Sequence, residues 1–76
     1  MKIKNRLTQR ELELLEKIDI QIEDVDYSWE DIEEIKSNIV LKGEISNLKG
    51  ENYETTLIAN EYANLADKFL EFEDET

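Results

Sequence analysis

The sequence predicts a small all-α fold, a three-helix bundle, on three observations. Proline is absent and glycine appears twice in 76 residues, so the punctuation that a small β-sandwich or barrel needs is missing. Thr8 to Glu11 and Ser28 to Asp31 each carry the hydroxyl-then-acid spacing of a capping box. Each is flanked by an apolar pair, Leu7 with Leu12 and Tyr27 with Ile32, in the positions of a hydrophobic staple. Finally, Ile58, Tyr62, Leu65, Phe69 and Phe72 recur at intervals of 4, 3, 4 and 3, which is heptad spacing along one helix face.

The expected helices cover about residues 9 to 22, 29 to 42 and 52 to 72. Residues 1 to 7 read as a basic arm, either frayed or extended with Ile3 and Leu7 turned inward. In the first helix Leu12, Leu15, Ile18 and Ile22 form the apolar stripe, widened by Leu14, while Glu13, Glu16, Lys17 and Asp19 face outward. Ile18, Ile20 and Ile22 also alternate with polar residues as a short strand would; helix is preferred because no partner strand lies nearby. The polar run Glu23 to Asp26 is short enough to reverse the chain.

The second helix buries Ile32, Ile35 and Ile39 and starts with acids that suit the positive end of the helix dipole. A small repeat follows, Leu41-Lys42-Gly43-Glu44 and Leu48-Lys49-Gly50-Glu51. Each Lys-Gly pair reads as a helix end, which makes a glycine-punctuated connection. Two alternatives stand beside that reading: the helix continues through Gly43 at a cost of about 1 kcal/mol, or Ile39 to Leu41 pairs with Ile45 to Leu48 as a hairpin. Asn52 is the expected cap of the third helix, and the acidic tail, 73 to 76, is expected to fray.

A chain of this length holds one domain, 1 to 76, and a domain so small buries only roughly 60% of its unfolded surface. Pairing with another chain is therefore an open alternative, including a homodimer through the heptads of the third helix. There is no cysteine and no histidine, which removes disulfides, zinc-thiolate sites, the usual general base at neutral pH and the commonest metal ligand. An enzyme is not expected. Every acid falls off the apolar stripes, so no catalytic residue, cofactor site or metal site is assigned. Asp24, Asp26 and Ser28 alternate as calcium-loop ligands would. However, the glycine of such a loop falls on Trp29 and its bidentate glutamate on Ile35.

Charge is the most informative global property. The first ten residues carry Lys2, Lys4, Arg6 and Arg10 with no acid, whereas residues 11 to 34 hold eleven acids against Lys17, within a chain of net charge −11. Such a surface repels phosphate, so direct contact with nucleic acid or membrane is not expected and a basic protein partner is. The arm either lies over the protein's own acids or meets an acidic partner. Trp29 either lids the core or anchors a partner together with Glu30, Asp31, Glu33 and Glu34. The sequence thus points to a cytoplasmic, non-enzymatic protein-binding module. Two alternatives remain, a nucleic-acid mimic that blocks a DNA- or RNA-binding protein and a self-associating structural helix.

Overall fold

The computed structural model describes residues 1–45 and 56–76 of the chain. Those residues form an all-helical three-helix bundle. A short 3-10 turn, Lys4–Arg6, leads into α1, Gln9–Lys17; α2, Trp29–Asn38, runs on as a π-helical turn, Ile39–Glu44; and α3 is Leu57–Glu75.

Both capping boxes form. Thr8 Oγ1 accepts from the Glu11 N–H at 3.1 Å while the Thr8 N–H donates to Glu11 Oε1 at 2.8 Å. Ser28 and Asp31 make the same exchange at 3.2 and 3.3 Å. Each box satisfies one backbone donor that the first turn of its helix would otherwise leave free.

Where α1 stops differs from the expectation of a helix to residue 22. Asp19 takes a left-handed backbone, φ 62°. Its N–H donates to Glu16 O at 3.0 Å, and the Ile20 N–H reaches back to Leu15 O at 2.9 Å. This bond pair is a Schellman motif with aspartate in the place usually held by glycine. The apolar stripe could not reveal the stop, because Ile18 and Ile22 are buried in the turned chain just as they would be in a continuous helix.

Past α1 the chain runs without regular structure to Ser28. Glu23 N–H donates to the Tyr27 hydroxyl at 2.9 Å, and Tyr27 exchanges backbone hydrogen bonds with Met1, 2.8 Å from its N–H and 2.9 Å to its carbonyl. The N-terminal segment is therefore packed, not frayed, and Ile3 and Leu7 are both buried.

α2 passes through Gly43 instead of ending before it, and Ile39 to Ile45 are helical, which excludes the hairpin over those residues. Gly43 is buried against α3. A Cβ placed there would lie 2.9 Å from Tyr62 Cε1 and closer still to Cδ1 and Cγ. The glycine is needed for close approach of the two helices, not for a helix end.

α3 starts later than expected. Thr56 is extended and its hydroxyl accepts from the Ala59 N–H at 3.0 Å, so Thr56 is the cap; the expected cap Asn52 lies outside the described residues. Helix then continues through the tail to Glu75, correcting the fraying expected after Phe72. The buried face is Ala59, Tyr62, Leu65, Ala66, Phe69, Phe72 and Glu73, with Ile58 left exposed. Phe69 and Phe72 meet edge to face, centroids 5.3 Å apart.

Candidate interaction surface

The first two turns of α2 carry the residues expected to meet a partner, and helical geometry sorts them. Trp29 and Glu33 are four apart, as are Glu30 and Glu34, so each pair shares a face. All five, with Asp31, are exposed. Trp29 keeps 45% of its surface in solvent, so it does not lid the core. The Asp31 carboxylate is occupied in the capping box.

Ion pairing separates the acids among the described residues into a paired and an unpaired set. Those facing another element are neutralised: Glu61 receives Arg10 at 2.7 and 2.9 Å, Glu11 receives Lys68 at 2.8 Å, Glu75 receives Arg6 at 2.7 Å and Glu73 meets Lys36 at 2.8 Å. Among the described residues Glu30, Glu33 and Glu34 have no such partner. Like charges four apart on a helix are mildly destabilising, by a few tenths of a kcal/mol per pair. The α2 face retains that repulsion.

The paired set also settles what the basic arm touches. Arg6 and Arg10 lie on the protein's own α3, and the Arg6 guanidinium also sits 5.0 Å above the Phe72 ring. The arm-on-own-acids reading is the one observed for these two arginines.

The Lys68 and Arg10 ion pairs favour the charged forms of their carboxylates. Partial burial alone would raise the Glu11 carboxyl, but hydrogen bonds from Lys68 and Thr8 outweigh it and hold the group below the usual carboxylate range. The Arg10 hydrogen bond likewise lowers Glu61. Burial pushes the Tyr62 hydroxyl up, and that hydroxyl donates to Leu14 O at 2.6 Å. Leu14 O is freed by the end of α1, where the Ile18 N–H turns to Leu15 O instead.

One feature was not legible in the sequence. Because α1 ends at Lys17, the returning chain leaves an open cleft of about 510 Å³ lined by Leu12 and Glu16 on α1 and by Gln21, Ile22 and Glu23 on the return. Among the described residues no three carboxylates converge closely enough to hold a metal ion, and no helix is long and apolar enough to cross a membrane.

No protein-family model, no curated protein and no solved structure matches this chain.

Proposed function

We propose that the chain is a non-enzymatic, cytoplasmic protein-binding module that docks on a larger basic partner through the start of α2. Trp29 is the apolar anchor, and Glu30, Glu33 and Glu34 are the charged rim. The observation that carries this reading is the division of the acids. Glu61, Glu73 and Glu75 on α3 and Glu11 on α1 are matched to cations of the same chain, while Glu30, Glu33 and Glu34 on α2 are exposed, unpaired and beside a half-exposed tryptophan. A partly apolar residue surrounded by unneutralised charge suits a contact in which the aromatic supplies affinity and the acids supply association rate and choice of partner.

The test is capture from lysate of the source cell with three baits: the native chain, Trp29→Ala, and the triple variant Glu30→Gln, Glu33→Gln, Glu34→Gln. A basic protein should be retained by the native bait, lost at least tenfold by Trp29→Ala, and released at lower salt from the triple variant. Retention that ignores all four substitutions refutes the α2 surface as the docking site.

The nucleic-acid mimic remains a second reading, since unpaired carboxylates on a rigid helix are also what phosphate imitation needs. It differs in one outcome: the captured protein would be displaced by DNA or RNA. The self-association reading has lost the side chains that argued for it, because Tyr62, Phe69 and Phe72 are buried in the chain's own core.

A further inference from the structure

On α3 the residues Ala59, Tyr62, Ala66, Phe69 and Glu73 are all buried and are spaced 3, 4, 3 and 4. That is one continuous core stripe, and its last position holds a carboxylate. On α2 and its π-helical continuation, Ile32, Lys36, Ile39 and Gly43 are spaced 4, 3 and 4, so a lysine interrupts the facing stripe in the same way. The two interruptions meet. Lys36 Nζ lies 2.8 Å from Glu73 Oε1, with 25% and 7% of the two side chains exposed. No donor among the described residues is aligned on that oxygen, so the contact is one of charge without good hydrogen-bond geometry.

A pair of this kind is a poor source of stability. Burying the Glu73 carboxylate and most of the Lys36 side chain carries a desolvation cost, and without aligned hydrogen bonds the attraction does not recover it. What the pair does supply is discrimination between alignments. A heptad stripe of apolar residues matches itself after a shift of seven. The Lys36 and Glu73 contact and the Gly43 and Tyr62 contact together fix α2 and α3 as antiparallel. In that arrangement, a shift of seven in one direction sets Lys36 against Ala66 and Glu73 against Trp29. In the other direction, Glu73 meets Gly43 and Lys36 passes beyond the end of α3. Either slip buries at least one charge without its partner.

We propose that Lys36 and Glu73 form a register key that selects one alignment of α2 against α3 at the expense of stability. The key is independent of the docking surface, since neither residue belongs to it.

Three variants, Lys36→Met, Glu73→Leu and the double substitution, test this by denaturant unfolding, hydrogen exchange and nuclear Overhauser contacts between side chains 36 and 73. Lys36→Met strands a buried carboxylate and should lower the folding constant by about a hundredfold, the low end for a broken buried pair because Lys36 keeps some exposure. Glu73→Leu leaves a lysine that can reach water and should lower it about tenfold or less. The double variant should be at least as stable as the native chain. It should also lose the unique alignment, with more than one set of amide signals from α2 and α3 or a weakened 36-to-73 contact. A double variant that is less stable than the native chain overturns the proposal. So does one that keeps a single set of signals with the native 36-to-73 contact.

Discussion

Tyr62 joins all three helices through one side chain. Its ring covers Gly43 on the continuation of α2, its hydroxyl bonds the Leu14 carbonyl at the end of α1, and its backbone belongs to α3. The ring can lie there only because position 43 has no side chain. Gly43→Ala should therefore destabilise by about 1 to 3 kcal/mol, the range for an overpacked core, even though alanine is the better helix former. Urea unfolding of the two proteins measures this, and an equal or higher stability for the variant would refute the close approach. A second residue-scale effect is the hold on Glu11, which serves the α1 cap and the Lys68 ion pair together. Its folded pKa is lowered, so its contribution is present above the usual glutamate value and disappears as pH falls through the lowered one. The stability difference between the native chain and Glu11→Gln should be largest near neutrality and close in acid. Unfolding free energies measured across that pH range will show whether the gap narrows.

At the scale of elements, the two helix starts that carry capping boxes are legible, whereas the start of α3 and the helix ends are not. A start is written locally: Thr8 with Glu11 and Ser28 with Asp31 each complete their own hydrogen bonds within four residues. An end is chosen by competition between continuing and turning, and the burial of Ile18 and Ile22 is satisfied either way. At α1 the choice falls on a left-handed Asp19, a conformation that aspartate tolerates and glycine prefers. Asp19→Gly should consequently stabilise the chain by about 0.5 to 1 kcal/mol, against the usual destabilising effect of glycine in a helix. Thermal unfolding decides the matter, since a lowered melting temperature would mean that the helix runs on through residue 19. The same competition misplaced Gly43, where a Lys-Gly pair suggests a helix end and the helix in fact continues.

For the whole molecule, charge and core divide the work. The net charge of −11 opposes compaction, and four of the cations are placed where they relieve it. Arg6, Arg10 and Lys68 tie α3 to the N-terminal segment and α1, and Lys36 ties it to α2. The α2 acids receive no such relief, and that contrast is what the proposed docking surface rests on. By itself the sequence determined the helical class, both capped starts, the core face of α3 from Tyr62 to Phe72, and the acidic face of α2, because each is set by spacing within a few turns. It also identified Trp29 with Glu30, Asp31, Glu33 and Glu34 as neighbours. The tertiary structure alone decided that α1 stops at Lys17, that Gly43 is a contact and not a stop, that Trp29 is outside the core, and that Lys36 meets Glu73. Each of these depends on which distant residue arrives opposite, and the close packing that settles it is not encoded in any local interval.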